Sequence, residues 1–486
     1  MASLLSDDQW STRIRLDTWS EGQGGKAAVI EPATGRSLGT VGLAGPRDVH
    51  RAADIAAAAQ RDWAQTAPEE RAAVLRRAGD LWTGHAADVA EWLVREAGSV
   101  RVKADLEVHT AAQECYEAAA LPTHPVGEVL ASASGRWNLA RRRPAGVVSV
   151  IAPFNFPLIL SIRSVAPALA LGNAVLLKPD PRTAVCGGVV LARIFEEAGL
   201  PAGLLQVLPG GADVGEAAVT AAPVRVVSFT GSTAAGRRVG ALGAEHLKRT
   251  HLELGGNNAL IVLPGADVER AASAGAFGSF LHQGQICMTT GRHLVHESLY
   301  EQYLALLADK ASHLPVGDPH TAEVALGPLI DAAQRDRVHE VVHDSVYAGA
   351  ELLTGGQYDG LFYRPTVLAD VQDGHRAWAE EIFGPVAPVR SFSDVDEAVA
   401  TAAATEYGLS LGILGEVGAA MRIADAVPSG IVHVNEQTVA DEAHVPFGGV
   451  AASGTGARFG GAAANIEAFT ETQWLTARPD IAPYPF

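Results

Sequence analysis

The stretch Arg225-Val-Val-Ser-Phe-Thr-Gly-Ser-Thr-Ala-Ala-Gly236 is typical of a strand, a tight turn and the start of a helix. Gly231 and Ser232 lie where the turn would lead into the helix. Free backbone N–H groups and the positive end of the helix dipole suit such a position to a phosphate. The usual G-x-G-x-x-G spacing is absent, so the turn alone is as consistent with a structural connection as with a cofactor site.

Short apolar runs on both sides of this stretch alternate with segments of helical spacing. The predicted strands span residues 147–151, 174–177, 205–208, 224–229 and 259–262. Apolar residues at helical spacing predict two long helices over 48–66 and 68–96, and Pro68 is a favourable first residue for the second. Strands that alternate with helices predict an α/β fold built on a parallel sheet.

The composition excludes several classes of protein. The 486 residues are enough for two or three domains, and 48% hydrophobic with 19% charged residues is typical of neither a disordered chain nor a coiled coil. Lys+Arg 37 against Asp+Glu 55 gives a net charge of -18, which disfavours a nucleic-acid partner because such binding needs a cationic face. Three cysteines in so long a chain do not make a disulfide framework, so we expect a reducing, cytoplasmic location.

Two segments bear on export and on membranes. Residues 1–10 contain two acids and no basic, apolar run, so we expect no signal peptide. Residues 145–162 are uncharged and long enough to span a bilayer, but Pro153, Asn155 and Pro157 interrupt them and would leave backbone groups unpaired in lipid. We expect a buried strand followed by a loop there, and no membrane partner.

Two polar residues follow predicted strands. Lys178 comes directly after the run Gly172-Asn-Ala-Val-Leu-Leu, and ligands of open α/β sheets bind at the carboxyl ends of strands. Lys178 is therefore a candidate for ribose or phosphate binding, with a solvated lysine as the alternative. Asn155 lies between two prolines in Pro153-Phe-Asn-Phe-Pro157, where a rigidly held amide could donate to an oxyanion. The alternative for Asn155 is an ordinary turn residue.

A glutamate and a cysteine are the candidate reactive groups. Glu253 lies between two leucines and precedes two glycines, so we expect a buried carboxyl with a raised pKa, which suits a general base or a structural acid. Cys287 in Gly284-Gln-Ile-Cys-Met-Thr-Thr has small and polar neighbours that leave room for a substrate. Cys115 and Cys186 lie in apolar helical contexts and are expected to be inert.

Taken together, these residues resemble the aldehyde dehydrogenase superfamily, from the N-terminal helices to about Trp474. The resemblance rests on seven motifs in order: Pro153-Phe-Asn-Phe-Pro157, Leu177-Lys-Pro179, Phe229-Thr-Gly-Ser232, Leu252-Glu-Leu-Gly-Gly256, Gly284-Gln-Ile-Cys287, Glu380-Glu-Ile-Phe-Gly-Pro385 and Pro446-Phe-Gly-Gly449. Within the superfamily, the run from Gln283 to His293 and the run from Ile162 to Pro167 are similar to those of benzaldehyde dehydrogenases. The resemblance implies oxidation of an aromatic aldehyde to its acid, with NAD, and possible use of NADP.

The resemblance also implies a role for each matched residue. Cys287 would be the nucleophile, Glu253 the general base, and Asn155 the side-chain donor to the oxyanion, beside the Cys287 backbone N–H. The implied cofactor contacts are Pro153, Lys178, Gly231, Ser232, Glu381 and Phe383. The implied substrate pocket consists of Phe154, Phe447, Ile286 and Met288, and Phe383 would add a further ring beside it. No metal is implied.

The resemblance further implies a three-part subunit in a homodimer or homotetramer. Residues 1–125 and 146–252 would form a Rossmann-like cofactor domain, to which 438–464 would return. Residues 253–437 would form the catalytic domain. Residues 126–145 and 465–486 would form a small β-arm for oligomerisation.

Three positions depart from the family pattern. The family often has Asn where His282-Gln283 stands here. Many NAD-preferring members have Glu three positions after the lysine, where this chain has Pro181 followed by Arg182, which weakens an NAD-only assignment. No second acid follows the run that begins at Ser453, so proton removal would depend mainly on Glu253.

Three alternative functions stay open. The substrate could be an aliphatic aldehyde or a semialdehyde. A CoA-acylating dehydrogenase would pass the acyl group to CoA, although such enzymes usually lack the glutamate that stands here as Glu253. A non-catalytic structural protein on the same fold would tend to have lost the cysteine, which is present as Cys287.

Overall fold

The computed structural model describes residues 4–132 and 135–486. Within them, the first sheet has seven strands, in the order Arg249–Glu253, Val224–Thr230, Val147–Ile151, Ala174–Lys178, Leu205–Val207, Ile14–Arg15 and Trp19–Ser20. The first five strands pair in parallel, and the last two are antiparallel additions at one edge. The central strand Val147–Ile151 is buried throughout, as expected when helices cover both faces of a parallel sheet.

A second sheet of the described chain also has seven strands. Their order is Glu351–Thr354, Thr366–Ala369, Val386–Phe392, Thr290–His296, Asn258–Val262, Ser410–Leu414 and Ile431–Val434. Only the pairing of Glu351–Thr354 with its neighbour is antiparallel among these. Two large parallel-type sheets confirm the α/β class predicted from the sequence.

Smaller antiparallel units complete the sheet structure. Strands Thr470–Ala477, Trp137–Pro144 and Gly127–Leu130 form a three-stranded sheet. Two ribbons pair Gly25–Ile30 with Ser37–Leu43, and Tyr358–Asp359 with Phe362–Tyr363.

Helices connect the strands and cover the sheets. The α-helices of the described chain are Asp7–Trp10, Pro46–Trp63, Pro68–Gly84, Ala86–Glu96, Arg101–Ala120, Pro157–Ala170, Val190–Glu197, Ala212–Thr220, Thr233–Glu245, Val268–Phe280, Glu297–His313, Ala332–Tyr347, Arg376–Ala379, Val395–Ala403, Val417–Ala426 and Ala462–Phe469. Short 3₁₀ turns occur at Leu121–Thr123, Pro181–Thr183, Leu281–Gly284 and Ala451–Ser453, and a π-helical turn at Val185–Val189. No helix in residues 4–132 and 135–486 combines the length and the apolar character that crossing a bilayer requires.

All five predicted strands are confirmed to within one residue at each end. The helix predicted over 68–96 is wrong as a single element, because it ends at Gly84 and a new helix begins at Ala86. Gly84 has a low helix propensity, and His85 leaves the helical conformation at φ -107 and ψ 17.

The loop predicted after strand 147–151 is shorter than expected. Helix Pro157–Ala170 begins inside the stretch that was assigned to strand and loop. Pro157 occupies the first turn, where its missing N–H costs nothing. The buried Glu107 carboxylate accepts the N–H groups of Leu158 and Ile159 at 3.1 and 3.3 Å, which satisfies two free donors at the start of the helix.

The chain crosses between the two sheets through residues 254–257. The strand Arg249–Glu253 ends at the carboxyl edge of the first sheet, and the strand Asn258–Val262 starts at the amino edge of the second. The carboxyl edge of one sheet therefore faces the amino edge of the other. Loops from both sheets meet in this gap.

Candidate active site

Four neighbouring strands of the first sheet end in residues that the sequence singled out. Asn155 follows Val147–Ile151, and Lys178 ends Ala174–Lys178. Gly231 follows Val224–Thr230, and Glu253 ends Arg249–Glu253. Parallel strands bring these residues to one edge, which is where ligands bind in open α/β sheets.

Cys287 reaches the same gap from the second sheet, on the loop before strand Thr290–His296. The Asn258 side-chain amide donates to the carbonyls of Cys287 and Thr289, both at 2.8 Å, and so fixes the loop. Gly256 lets the two segments approach, because a Cβ there would lie 2.6 Å from the Cys287 carbonyl oxygen. As a whole residue Cys287 is partly exposed, although its thiol group is buried, and Cys115 and Cys186 are buried entirely.

Burial governs the protonation of Cys287. Burial, reinforced by the nearby Glu381 carboxyl, raises the pKa of the Cys287 thiol to about 12, and the Arg163 guanidinium acts in the opposite direction. The thiol is thus held protonated until a base removes its proton, since the thiolate is the nucleophilic form.

Glu253 has the environment expected of a general base. The residue is 2% exposed, and its Oε2 accepts the Gly449 N–H at 3.2 Å. Oε1 has no hydrogen-bond partner in the described structure. Burial raises the pKa of Glu253 to about 8, against the Gly449 hydrogen bond and the Arg163 charge, which lower it. A free carboxylate oxygen with a pKa near neutrality is suited to accept a proton.

Two N–H donors converge beside Cys287. The Asn155 amide donates one hydrogen bond to the Gln285 carbonyl at 2.8 Å, which orients the side chain and leaves its second N–H available. The backbone N–H of Cys287 donates no hydrogen bond to any described residue. These two donors can stabilise an oxyanion that forms at the sulfur.

We expect Asn155→Ala to lower kcat by about 10²–10³, the usual cost of removing one oxyanion donor. Steady-state kinetics with benzaldehyde measure the effect. Asn155→Asp serves as a matched variant of the same size, because it replaces the donor by an acceptor and should be at least as impaired. A loss below tenfold in the alanine variant would show that the Cys287 N–H suffices.

A buried ion pair supports the Asn155 loop, and sequence reasoning missed it. The Lys103 ammonium contacts the Glu107 carboxylate and donates to the Asn155 carbonyl at 2.7 Å. Both side chains of the pair are fully buried, and Glu107 also caps helix Pro157–Ala170. The i, i+4 spacing of Lys103 and Glu107 is common on exposed helix faces, so their burial could not be predicted from the spacing.

One cavity beside Cys287 contains most residues predicted to bind the cofactor. Its volume is about 180 Å³, and its lining includes Pro153, Phe154, Asn155, Gly231, Ser232, Leu254, Gly255, Cys287, Glu381 and Phe383. The rings of Phe154 and Phe383 meet edge to face at 5.9 Å. Lys178 lies outside this lining, at the end of the neighbouring strand.

The residues around this cavity fit a dinucleotide. Ser232 caps helix Thr233–Glu245 by accepting the Ala235 N–H at 3.3 Å, so the start of the helix faces the cavity. A Cβ at Gly255 would lie 2.1 Å from a Glu381 carboxylate oxygen, which shows how closely the backbone and that carboxyl approach. Among the described residues, the Lys178 ammonium has only a 3.4 Å contact with the Pro179 carbonyl, so its donors are available to a ribose.

A second cavity of about 120 Å³ also reaches Cys287. Its lining includes Thr110, Asn155, Phe156, Arg163, Phe277, Ile286, Cys287, Met288, Asp441 and Phe447. Phe447, Ile286 and Met288 therefore lie where the substrate pocket was predicted. Phe154 does not line this cavity but faces the cofactor side, and Phe156 takes its place. The volume is below the roughly 300–1,000 Å³ of sites for drug-sized ligands and suits a single ring.

The departure at His282-Gln283 has a conformational explanation. Both residues have positive φ, 48° and 57°, in the left-handed region that Asn tolerates better than most residues. Gln283 is held there by hydrogen bonds from its amide to the carbonyls of Gly98 and Pro328, at 3.1 and 2.8 Å. The ring of His282 packs edge to face on Phe156.

The chain is similar to several known proteins over nearly its whole length. It is 65% identical to a vanillin dehydrogenase from Amycolatopsis sp. over 485 residues, which is 100% of both chains. It is 48% identical to a benzaldehyde dehydrogenase [NAD(+)] from Pseudomonas putida over 479 residues, 98% of each.

Solved structures agree with this similarity. An NADP-dependent enzyme from E. coli superposes with a TM-score of 0.93 at 31% identity, covering 97% of this chain and 99% of the other. A betaine aldehyde dehydrogenase from Staphylococcus aureus in complex with NAD+ superposes with a TM-score of 0.95 at 26% identity, covering 100% and 98%. The predicted fold is thereby confirmed.

The model of the aldehyde dehydrogenase family matches residues 19–475. That range includes the second sheet, all of the first sheet except strand Ile14–Arg15, and every residue of the two cavities beside Cys287. The motif-based resemblance is confirmed, and the chain belongs to the aldehyde dehydrogenase family.

Proposed function

We propose that this enzyme oxidises single-ring aromatic aldehydes to carboxylic acids with a nicotinamide cofactor. The observation that supports this most strongly is the small cavity walled by Phe156, Phe277 and Phe447 that ends at Cys287 and Asn155. A flat ring in this cavity would gain apolar and edge-to-face contacts. Its formyl carbon would lie beside the sulfur.

The first step is attack of the Cys287 sulfur on the formyl carbon. The S–C bond forms as the carbonyl π electrons move to oxygen, and the Asn155 amide and the Cys287 N–H donate to that oxyanion. The sulfur reacts as the thiolate, and its proton passes to solvent, so Glu253 stays ionised for the later hydrolysis. The product of this step is a thiohemiacetal on Cys287.

The remaining steps release the acid. NAD(P)+, when bound, supplies the acceptor for the hydride that leaves the thiohemiacetal carbon, which becomes a thioester. Glu253 then takes a proton from a water molecule, and the resulting hydroxide attacks the thioester carbon. The C–S bond breaks, the carboxylic acid leaves, and Cys287 regains its thiolate.

Turnover of a panel of aldehydes tests this function. We expect kcat/KM for benzaldehyde to exceed that for acetaldehyde by several hundredfold or more. One missing contact in an apolar pocket is worth about 1–3 kcal/mol, and acetaldehyde lacks the whole ring. The assay follows the absorbance of the reduced cofactor without CoA. Equal efficiency on both aldehydes would refute the aromatic assignment, and turnover only with CoA would favour an acylating enzyme.

The loop after Lys178 supports use of both NAD and NADP, with NAD moderately preferred. Asp180 is the one carboxylate in that loop, and Arg182 binds it through two hydrogen bonds at 2.9 and 2.8 Å. Burial would raise the pKa of Asp180, but the Arg182 guanidinium outweighs it and holds the pKa below the ordinary value. The Asp180 carboxylate is therefore ionised, but the positive charge of Arg182 compensates it, which weakens its repulsion of a 2′-phosphate. Arg182 also binds Asp331 at 2.6 Å, so it is not free to attract one.

We expect the wild-type enzyme to prefer NAD by less than about a thousandfold in kcat/KM, which is about 4 kcal/mol. Asp180→Ala should shift the ratio toward NADP, because it removes the carboxylate and releases Arg182 from one partner. The control is Asp331→Asn, which weakens the second ion pair of Arg182. The asparagine side chain still has an oxygen that can accept the Gln334 N–H and cap helix Ala332–Tyr347. A strict preference for NAD that collapses only in Asp180→Ala would contradict dual use.

We also propose a homodimer or homotetramer assembled through the three-stranded sheet. Four large apolar residues on that sheet are exposed: Val129 at 79%, Trp137 at 71%, Trp474 at 68% and Leu130 at 43%. Apolar patches of this kind are typical of interfaces. We keep the same domain division as a proposal. The oligomerisation arm is 126–145 and 465–486, the cofactor domain is 1–125, 146–252 and 438–464, and the catalytic domain is 253–437. We also propose a cytoplasmic location.

A further inference from the structure

A buried threonine connects the two loops that surround Cys287. Thr438 follows strand Ile431–Val434 and is fully buried. Its hydroxyl lies 2.7 Å from the Met288 carbonyl oxygen and 2.8 Å from the Thr290 hydroxyl. Thr438 lines neither cavity, and the proposed reaction steps do not use it. Its buried hydrogen bonds therefore need another explanation.

The chemistry of the partners fixes the direction of both hydrogen bonds. A carbonyl oxygen can only accept, so the single proton of the Thr438 hydroxyl points to Met288. The Thr290 hydroxyl must then donate to the Thr438 oxygen. The result is a chain of two hydrogen bonds that ends on the backbone next to the nucleophile. Removing the middle hydroxyl would leave both ends without this partner, and unpaired buried polar groups are costly.

Close packing leaves these hydroxyl groups little freedom to move. A Cβ at Gly278 would lie 2.3 Å from Thr290 Oγ1, and a Cβ at Gly412 would lie 3.3 Å from Thr438 Cγ2. The Ser410 hydroxyl donates to the Thr438 carbonyl at 2.7 Å, which fixes the backbone as well as the side chain. Gly412 and Ser410 belong to the second sheet, so Thr438 is anchored to a rigid element.

The link joins parts of the site that come from different segments. On one side is the loop that carries Cys287. On the other side is the loop of residues 435–449, which carries the Phe447 ring of the second cavity. The same loop supplies the Gly449 N–H that donates to Glu253 Oε2. The place of the sulfur relative to the ring wall and to the general base therefore depends on this link.

The hydrogen bonds from Asn258 do not replace the link. They hold the carbonyls of Cys287 and Thr289 to the start of a strand in the second sheet. The Met288 carbonyl between them accepts a side-chain hydrogen bond from Thr438 alone among the described residues. Loss of that hydroxyl should tilt the loop without releasing it, which moves the sulfur and preserves the fold.

We propose that Thr438 is a positioning residue, which holds the Cys287 sulfur at the distance from the bound aldehyde that attack and hydride transfer require. It acts through the Met288 carbonyl and touches neither substrate nor cofactor. Covalent catalysis depends on a near-attack geometry, and a displacement of about 1 Å can cost about a hundredfold in rate. The inference rests on the proposed function, because it takes Cys287 as the nucleophile.

The experiment compares the wild type with Thr438→Val, which keeps the shape of the side chain and removes its hydroxyl. Rapid mixing with NAD and benzaldehyde gives the rate constant for the burst of reduced cofactor. At saturating aldehyde we expect that rate constant to fall by about tenfold to a hundredfold. The aldehyde concentration at half-maximal rate should change by less than about threefold, because the ring contacts remain. Fluorescence titration with NAD counts the folded active sites in each preparation.

Two further variants separate positioning from stability. Thr438→Ser returns the hydroxyl and should restore most of the burst rate. Thr366→Val is the matched control, because Thr366 is also fully buried and lines neither cavity. Its hydroxyl likewise makes two hydrogen bonds, donating to the Arg364 carbonyl and accepting the Gly356 N–H, both at 2.8 Å. Both valine variants should lower Tm, and only Thr438→Val should slow the burst.

The pH dependence separates the position of the sulfur from its protonation. If the Thr438 hydroxyl acted by helping the thiol to ionise, the burst in Thr438→Val would recover at high pH, since the thiolate is the nucleophile. A displaced sulfur predicts the same fold loss at every pH at which the enzyme stays folded.

The outcomes distinguish this inference from the proposed function. An unchanged burst in Thr438→Val, equal losses in both valine variants, a loss that high pH abolishes, or no rescue by serine would each overturn the inference and leave the proposed function standing. If the wild type oxidises no aromatic aldehyde, the proposed function fails, and the same comparison with propanal still tests the threonine. Thr438→Ala removes the hydroxyl without putting a methyl group in its place, so a valine variant that fails to fold does not leave the question open.

Discussion

Alanine in place of Cys287 is expected to lower aldehyde oxidation by about 10⁴-fold or more, the scale on which loss of a catalytic nucleophile acts. No other thiol reaches the two cavities, since Cys115 and Cys186 are buried elsewhere in the described structure. The cavity lined by Gly231 and Ser232 does not depend on the sulfur, so cofactor binding should change little. Steady-state kinetics measure the first effect, and fluorescence titration with NAD measures the second.

Cys115→Ala is the matched control for this experiment. It removes a thiol from helix Arg101–Ala120, where burial raises the pKa of the thiol well above its ordinary value. We expect some loss of stability from the vacated space and full turnover per folded molecule. Retained oxidation in Cys287→Ala, with normal cofactor binding, would remove Cys287 from the mechanism.

Local patterns in the sequence predicted the part of the site that the first sheet builds. Asn155, Lys178 and Gly231 each follow a short apolar run, and such runs are buried parallel strands in this structure. Glu253 ends strand Arg249–Glu253, which was not among the predicted strands. Parallel pairing then brings their carboxyl ends together without further information. The burial of the Glu253 carboxyl was predictable, because apolar leucines flank it and two glycines follow.

The walls of the second cavity, lined by Ile286, Met288 and Phe447, were less predictable. Phe154 and Phe156 stand two positions apart in one loop. Phe154 lines the cavity that contains Gly231 and Ser232, whereas Phe156 lines the cavity that contains Ile286 and Met288. The loop connects strand Val147–Ile151 to helix Pro157–Ala170 in five residues. Its backbone follows neither the two-residue period of a strand nor the 3.6-residue period of a helix, so the spacing of the two rings does not predict their directions. Motif position alone therefore placed Phe154 in the substrate pocket.

Long-range polar pairs were invisible for a different reason. Arg163 and Asp441 are 278 residues apart, and nothing near either of them indicates a partner. Lys103 and Glu107 are close in sequence but look like an exposed helical pair. They are buried because several helices, Pro157–Ala170 among them, pack against helix Arg101–Ala120. Such pairs depend on tertiary packing, which no local pattern encodes.

Glutamine in place of Glu253 is expected to slow thioester hydrolysis by about 10²–10⁴, the range of general acid–base catalysis, and to slow hydride transfer far less. A rapid burst of one reduced cofactor per active site should survive, followed by a very slow steady state. Rapid mixing of enzyme, NAD and benzaldehyde resolves the two phases. The amide keeps the size of the side chain and an oxygen for the Gly449 N–H, so the loop should stay in place. If burst and steady state fall together, Glu253 is also the base that takes the thiol proton.

The pH dependence provides an independent test of the same role. Burial raises the pKa of Glu253 to about 8, and only the ionised carboxylate can accept a proton from water. Steady-state turnover limited by hydrolysis should therefore fall as the pH drops below about 8 and level off above it, and Glu253→Gln should lose this rise. Glu114→Gln is the matched control, because burial raises the pKa of Glu114 to about 8 as well. The Glu253 charge acts on the Cys287 thiol, whereas the charges that act on Glu114 are those of Arg163, Asp441 and Glu117. The opposite result is a rise of turnover with pH that is lost in Glu114→Gln but kept in Glu253→Gln. It would assign the titration to Glu114 and contradict this mechanism, because the group that activates water must lie beside Cys287.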